Sequence, residues 1–363
     1  MLIKFGPFVD ANTNTLPFIN LAAEKNFDNM LLQDGDIIIA DTAEDETVGK
    51  ATEIINTGNR KIVSGLHTIA CRPKIKMIPT YLGFYFNSEA YHKQLYSLMQ
   101  GIKVLSISKS NIETTIIKYP CIGEQAKICS MLYLIEKRIA KQQQLIEHLK
   151  KYKRGAFESV FSQKLKLTNS NTPWKKFKLS DFATRITRKN GEQTDIPLTI
   201  SAQYGLIDQR NFFSKTVAST DMSGYYLLKS GEFAYNRSTS NDYPFGSIKR
   251  LEKYKKGAVS TLYICFEINK EIMNSDFITL FFESTKWHKQ ISEICAEGAR
   301  NHGLLNVPTN GFFDCVFDLP SNLEEQEKIA SFLNAIQDKL DNENKILEQL
   351  QFFKKALLQS MFI

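Results

Sequence analysis

The sequence predicts an α+β protein in which two similar mixed α/β domains are separated by two long helices that form an antiparallel coiled coil. Three observations carry this prediction: the chain repeats itself, each copy ends in a heptad helix, and the remainder is rich in strand-forming residues. The expected segments are a first domain at 1–122 that is short at its N-terminus, a central helix at 123–160, a second domain at 161–322 and a C-terminal helix at 323–363.

The repeat is visible at a shift of 196 residues, where YLGFYFNSEAYHKQL (81–95) aligns with FITLFFESTKWHKQI (277–291). Further along, EQAKI (124–128) matches EQEKI (325–329) at a shift of 201. The second copy also has a preface, TPWKKFKLSDF (172–182), for which the first copy has no counterpart. The chain is therefore read as two repeats, of which the first is shorter.

Two stretches have apolar residues spaced alternately by four and three, which predicts helices at Ala126–Phe157 and Glu327–Leu358 that pair antiparallel along their apolar seams. Both seams are interrupted near mid-helix, by Gln142 and Glu343, and an antiparallel pairing brings these two side chains together. A helix of ~32 residues is ~48 Å long, which corresponds to roughly 14 base pairs of B-DNA. The seam positions are Ile128, Leu132, Ile135, Ile139, Gln142, Ile146 and Leu149 in the first helix, and Ile329, Leu333, Ile336, Leu340, Glu343, Leu347 and Leu350 in the second.

Outside these helices, β-branched and aromatic residues are typical of strands. Shorter helices are expected at Thr80–Met99 and Asp276–Ala296. The expected strand segments are Asp36–Ala40, Lys61–Arg72, Glu232–Asn236, Ala258–Ile268 and Phe312–Pro320.

Several classes of protein are disfavoured by what the sequence lacks. The six cysteines form no C-x-x-C pair and the five histidines no H-x-x-x-H pair, so we expect reduced thiols and no metal site. No signal peptide and no apolar stretch of membrane-spanning length is present, so a cytoplasmic protein without membrane contact is expected. There is no G-x-G pair, no phosphate loop and no Asn-Pro-Pro motif, so we predict no catalytic residues and no cofactor in this chain.

The net charge of the chain is +7, and basic residues are concentrated in two runs, Lys164–Lys189 and Lys249–Lys256. Each run is either a solvated face or a stripe that contacts DNA phosphates. The loop YNRSTSNDYPFG (235–246) and the segment GARNHGLLN (298–306) are rich in hydrogen-bond donors, and the loop equivalent to 235–246 in the first copy is acidic. Either the loops have drifted, or each domain reads a different base sequence. The candidate DNA-binding residues are Arg237, Ser238, Thr239, Asn241, Lys249, Lys253, Arg300, Asn301, His302 and Lys103.

Taken together, these features resemble the specificity subunit of bacterial type I restriction–modification systems, and the resemblance covers nearly the whole chain. It is carried by LPSNLEEQEKIASFLNAIQDKLDNENKILEQLQFFKKALLQSMF at the C-terminus, its weaker copy PCIGEQAKICSMLYLIEKRIAKQQQLIEHLKKYKRGAFESVF, and the preface TPWKKFKLSDFATRI. The first domain departs from the pattern because it lacks the opening that Trp174 to Leu179 supply in the second domain.

The resemblance implies that the two domains are target-recognition domains, each of which reads half of a bipartite target in double-stranded DNA. It also implies two modification subunits, which bind S-adenosylmethionine and methylate adenine, and restriction subunits that use ATP and Mg²⁺. The specificity subunit itself would be non-catalytic and part of a defence against foreign DNA. Two alternatives stay open: a specificity module of a type II-like system, and a coiled-coil adaptor that binds only protein.

Overall fold

The structure of the protein is a computed structural model that describes residues 6–18, 30–43, 47–101, 104–168, 173–201, 204–211, 221–240, 243–295 and 303–362. The chain divides into two compact units. Unit 1 contains Met1–Glu147 and Asn342–Ile363, and unit 2 contains His148–Asp341. Both long helices cross the boundary, so each helix contributes one part to each unit.

Unit 1 is built around a four-stranded sheet. The strands described in unit 1 are β1 (Phe8–Asp10), β2 (Ile37–Ala40), β3 (Thr42–Ala43), β4 (Ala51–Ile55), β5 (Thr68–Cys71) and β6 (Leu105–Ser106). Its short helices are α1 (Tyr81–Phe86), α2 (Glu89–Tyr96) and α3 (Lys109–Glu113), and it shares α4 (Ile122–Phe161) with unit 2. The sheet has the order β1-β4-β2-β5, with β1 parallel to β4 and the other pairs antiparallel, and β3 pairs separately with β6.

Unit 2 contains the same arrangement with additional strands. Its strands are β7 (Lys175–Lys178), β8 (Ala183–Ile186), β9 (Leu198–Ser201), β10 (Gly205–Asp208), β11 (Tyr226–Lys229), β12 (Phe233–Asn236), β13 (Ser247–Arg250), β14 (Lys256–Val259), β15 (Ile264–Ile268) and β16 (Val316–Leu319). Its helices are α5 (Leu179–Phe182), α6 (Ser275–Glu283), α7 (His288–Ile294), α8 (Thr309–Phe313) and the shared α9 (Leu323–Met361). The main sheet has the order β13-β12-β15-β8, and β7 pairs with β16.

The internal repeat is confirmed by the strand order. In unit 1, β2 lies between β4 and β5, and in unit 2, the equivalent β12 lies between β13 and β15, all antiparallel. The two sheets differ at their edges, because β1 extends one sheet beside β4 whereas β8 extends the other beside β15.

One buried position of the repeat holds an acidic residue in unit 1 and a basic residue in unit 2, with different partners. Glu53 on β4 accepts N–H bonds from Thr80 and Gly83 at 2.7 and 2.9 Å. Burial raises the pKa of the Glu53 carboxyl from 4.5 to about 7, although these N–H groups act in the opposite direction. The equivalent residue in unit 2, at a shift of 196, is Lys249, whose amino group lies 2.5 Å from the Glu283 carboxylate.

The two predicted shorter helices are each interrupted by a serine. Ser88 separates α1 from α2 and donates its hydroxyl to the Tyr85 carbonyl at 2.6 Å. Its equivalent Ser284 separates α6 from α7 and donates to the Phe281 carbonyl, also at 2.6 Å. Such side-chain bonds to the preceding turn compete with helix continuation.

Two of the five expected strand segments, 36–40 and 232–236, are strands to within one residue, and the other three are much shorter or divided. Only Thr68–Cys71 of the segment 61–72 is a strand, and Ala258–Ile268 is split by a turn in which the Tyr263 N–H bonds to the Ser260 carbonyl. In the segment 312–320, the first two residues end helix α8, and only Val316–Leu319 is extended. In the two segments of unit 2 the apolar runs belong to the buried core, where composition does not separate strand from helix. The segment 61–72 lies at the surface, and its Leu66 is almost fully exposed.

The long helices run antiparallel within each unit, as predicted. In unit 1, the Gln142 amide donates to the Glu343 carboxylate at 2.6 Å and to the Glu343 carbonyl at 2.9 Å, and Lys354 pairs with Glu136. In unit 2, the Lys153 amino group lies 2.6 Å from the Gln337 amide oxygen.

Every predicted seam position is buried or half-buried. Those that are buried are Ile128, Leu132, Ile139, Gln142, Ile146, Ile329, Leu333, Ile336, Leu340 and Glu343. Those that are half-buried are Ile135, Leu149, Leu347 and Leu350. The helix pair thus has an apolar seam with one buried polar contact, the kind of contact that fixes register in paired helices.

Two equivalent glutamines fasten the start of each long helix to the domain beside it. In unit 1, the Gln125 amide donates to the Pro120 carbonyl at 2.9 Å, and its oxygen accepts the Ile78 N–H at 3.1 Å. In unit 2, Gln326 makes the same contacts, with the Pro320 carbonyl at 2.8 Å and the Asn274 N–H at 2.6 Å. Both side chains are fully buried, so the glutamine of the repeated E-Q-x-K-I motif is a structural anchor.

Candidate nucleic-acid interface

The donor-rich loop of unit 2 begins where β12 ends and is tied to the segment after residue 302. Ser238 forms a β-bridge with Leu304, and the Thr239 N–H donates to the Gly303 carbonyl at 2.6 Å. The Arg237 carbonyl accepts the Leu305 N–H at 2.9 Å. The structure therefore places Arg237–Thr239 of the loop 235–246 beside Gly303–Leu305 of the segment 298–306.

Arg237 is occupied by internal contacts, which the sequence did not reveal. Its guanidinium donates to the Leu262 carbonyl at 2.8 and 3.2 Å and to the Val307 carbonyl at 3.2 Å. These bonds join the β14–β15 turn and the segment before α8 to the loop. Arg237 therefore positions the loop, and its expected contact with DNA stays a prediction.

Lys249 is also placed differently from the expectation. Its side chain is buried, and its amino group pairs with Glu283 rather than facing solvent. Removing this lysine from its ion pair would be unfavourable, because it would leave a partly buried carboxylate without its partner. The expectation that Lys249 binds DNA stays a prediction.

Four exposed lysines cluster where β11 meets β14. Lys229 and Lys256 lie directly opposite each other across the two strands, and Lys253 and Lys255 lie in the turn before β14. No described carboxylate lies within ion-pair distance of these four amino groups, whereas the nearby Glu252 is held by Arg250 at 2.7 Å. Like charges that face each other across strands are unfavourable unless an anion binds between them.

Aromatic rings accompany this basic surface. The Lys253 amino group lies 5.9 Å from the centre of the Tyr204 ring, and the Lys189 amino group lies 4.5 Å from that of Tyr226. Tyr204 is itself exposed. Lysines beside exposed aromatic rings suit a surface that contacts the phosphates and sugars of nucleic acid.

Three predicted contact residues remain on the described surface, and five lie outside the described residues. Ser238 and Lys253 are exposed, and Thr239 is half-buried. Those outside the described residues are Lys103, Asn241, Arg300, Asn301 and His302.

The described residues hold no group of three or more histidine, cysteine, aspartate or glutamate side chains that is suited to a metal ion. All six cysteines are free thiols; three are buried, two are half-buried and Cys121 is exposed. No helix within the described ranges is long and apolar enough to span a membrane.

Comparison with solved structures gives matches over nearly the whole chain. The S subunit of a type I restriction–modification system from M. genitalium matches with a TM-score of 0.54 at 14% identity, covering 99% of this chain and 89% of that one. The HsdS subunit from Thermoanaerobacter tengcongensis matches with a TM-score of 0.52 at 13% identity, covering 98% and 89%. This chain has the fold of a type I S subunit. The resemblance inferred from the sequence is confirmed at this level.

Two further comparisons agree. A structure described as showing complex assembly and conformational transition of the type I restriction–modification system matches with a TM-score of 0.58 at 13% identity, covering 98% and 90%. The specificity subunit of the type I restriction enzyme HindI from Haemophilus influenzae is 25% identical over 201 residues, which are 52% of this chain and 41% of the relative. The chain therefore spans less than half the length of that relative, and no family model matches the sequence.

Proposed function

We propose that this protein is the DNA sequence-specificity subunit of a type I restriction–modification complex. It would bind a bipartite target in double-stranded DNA and direct the modification and restriction subunits to it. The observation that supports this most strongly is the duplicated domain on an antiparallel helix pair, in a chain whose fold matches S subunits along almost its entire length.

In this proposal, the lysine cluster of unit 2 contacts the DNA backbone, while the loop that begins with Ser238 and Thr239 faces the bases. Lysine is a point charge that suits phosphate, whereas hydroxyl and amide groups can bond to base edges. Arg237 contributes indirectly, because it holds the loop against two neighbouring segments.

The proposed partners supply the chemistry. Two modification subunits would bring S-adenosylmethionine, and restriction subunits would bring ATP and Mg²⁺, so this chain would be non-catalytic and carry no cofactor. The complex would act in the cytoplasm, where its DNA substrate lies.

Co-expression with a type I modification subunit, taken from an adjoining gene where one is found, followed by methylome sequencing, tests the proposal. We expect the two proteins to co-purify and adenine methylation to appear at one split sequence, and only when this chain is present. Absence of both co-purification and sequence-dependent methylation would exclude the proposal. Two alternatives would give other results. A type II-like module would also cleave DNA without separate restriction subunits, and a protein-binding adaptor would co-purify but leave DNA unmodified.

A further inference from the structure

A pair of strands that closes unit 2 has no described counterpart in unit 1. In unit 2, β7 pairs antiparallel with β16, with Phe177 opposite Phe317 and Lys176 opposite Asp318. This pairing leaves Phe317 and Leu319 buried. The preface that contains β7 is the segment for which the first repeat has no copy.

The residues of unit 1 equivalent to β16 are Ile116–Tyr119, at a shift of 200. The equivalence is supported by one contact that occurs in both units: the Ile116 N–H donates to the Gln94 amide oxygen at 2.9 Å, and the Val316 N–H donates to that of Gln290, also at 2.9 Å. Because no described strand covers the segment, Ile116, Ile117 and Tyr119 are 67%, 37% and 51% exposed.

The backbone of this segment is oriented to accept a strand. Ile116 uses both its N–H and its carbonyl to bond Gln94, and the Lys118 N–H donates to the Tyr85 hydroxyl at 3.0 Å. In an extended chain, alternate residues direct their backbone groups to opposite sides. Ile117 and Tyr119 therefore present theirs away from the domain, and these groups bond to none of the described residues. An open edge of this kind is a template for strand addition.

A cavity of about 660 Å³ adjoins the same edge. Its lining includes the apolar side chains of Tyr85, Ile116 and Phe362, the basic side chains of Lys93 and Lys118, and one carboxylate, Glu89. At the equivalent edge of unit 2, strand β7 contributes the apolar side chain of Phe177, which packs against the core. The cavity therefore offers space for an apolar side chain beside two lysines and one glutamate.

Charge distinguishes the occupant of unit 1 from β7. In unit 2, Asp318 faces Lys176, but the equivalent of Asp318 in unit 1 is Lys118. A strand that copied β7 would place a lysine opposite Lys118, which is unfavourable. A strand that binds favourably to unit 1 would have a carboxylate opposite Lys118.

We propose that Ile116–Tyr119 and the adjoining cavity dock an extended segment of a partner protein, with an apolar or aromatic residue opposite Ile117 and an acidic residue opposite Lys118. The partner would complete the edge of unit 1 as β7 completes that of unit 2. This proposal does not depend on DNA binding and can fail or succeed independently of the proposed function.

Two synthetic peptides test the proposal, both with the sequence of residues 173–180, one unaltered and one with Lys176→Glu. Fluorescence anisotropy with the full chain should show that the Lys176→Glu peptide binds at least fivefold more tightly than the unaltered peptide. The Lys118→Glu chain should reverse this preference, and Ile117→Asp should abolish binding of both peptides. The matched control is Leu66→Asp, at a residue of the same unit that is 98% exposed, and it should change nothing.

Several outcomes would overturn the proposal. One is the absence of saturable binding of either peptide, and another is binding that Lys118→Glu and Ile117→Asp leave unaltered. Hydrogen exchange of the chain alone provides a third, because protection of the Ile117 and Tyr119 amides before any peptide is added would show that the chain covers this edge itself. Circular dichroism of each variant verifies folding, and the charge reversal at Lys118 keeps the test decisive should Ile117→Asp fail to fold.

Discussion

The anchoring role of Gln326 leads to a prediction specific to one unit. Gln326→Ala removes the partners of the Asn274 N–H and the Pro320 carbonyl, which Gln326 now bonds at 2.6 and 2.8 Å in a fully buried position. Each buried backbone group left without a partner costs about 1–3 kcal/mol, and the rotamer freedom regained on removing glutamine offsets up to ~2 kcal/mol. Together these terms span about 0–6 kcal/mol, and we expect the free energy of unfolding of unit 2 to fall by about 2–4 kcal/mol, the middle of that range.

Hydrogen exchange followed by mass spectrometry measures this effect for each unit separately. Each 1.4 kcal/mol corresponds to about a tenfold change in the rate of hydrogen exchange. Amides in helix α6 should therefore exchange roughly 30- to 1000-fold faster in Gln326→Ala than in the unaltered chain. The equivalent substitution Gln125→Ala is the matched control and should act instead on α1 of unit 1. A change below about 0.5 kcal/mol, or equal losses of protection in both units after either substitution, would refute the anchoring role.

Three further predictions concern ionisable groups. Gln142→Glu places a second carboxylate against Glu343, so the melting temperature should drop at pH 7 and recover in acid, as measured by thermal denaturation across pH. Glu53 has its pKa raised from 4.5 to about 7 in the folded chain, so the stability that its protonated form contributes is complete below pH 4.5 and is lost as the pH rises through 7. The difference is about 3 kcal/mol, and Glu53→Gln should remove this dependence in denaturant titrations between pH 5 and 8. Lys253→Ala should weaken binding to all DNA sequences about equally and lower the slope of log affinity against log salt by about one, whereas the exposed helix residue Lys345, changed to alanine, should have no effect.

Each of these has a result that would count against it. Gln142→Glu as stable as the parent at pH 7 would mean that the two side chains are not in contact. An unchanged pH dependence in Glu53→Gln would assign the ionisation to another group. Equal salt slopes for Lys253→Ala and the parent would remove this lysine from the phosphate-contacting surface.

The architecture was predictable because it is repeated in the sequence and follows a simple period. A heptad seam marks both helices, and two polar interruptions at equivalent positions of the repeat predict the contact between Gln142 and Glu343. The glutamine of the E-Q-x-K-I motif was visible too, but its role depends on a proline carbonyl and on a backbone N–H about 50 residues earlier in the chain.

The candidate site was less predictable, because side-chain direction leaves little trace in one sequence. Lys249 stands in a basic run that is typical of a solvated surface, yet its partner Glu283 is 34 residues away. The acceptors of Arg237 are backbone carbonyls, which every residue carries and which no residue type reveals. The strand register, which places Lys229 directly opposite Lys256, is seen only in the folded sheet.

The sequence of unit 2 is inserted into the sequence of unit 1, and this order has a consequence for folding during synthesis. Unit 2 is continuous in sequence. Unit 1 needs residues that precede unit 2 and residues that follow it, including Phe362, which packs against Tyr81 and Tyr85. About 195 residues separate the two parts of unit 1, which a ribosome translates in roughly 10–40 s. The aromatic surface of the first-made domain is therefore open for that interval. The unit whose synthesis begins first is completed last, and a chaperone that binds exposed aromatic residues has a defined time in which to act on it.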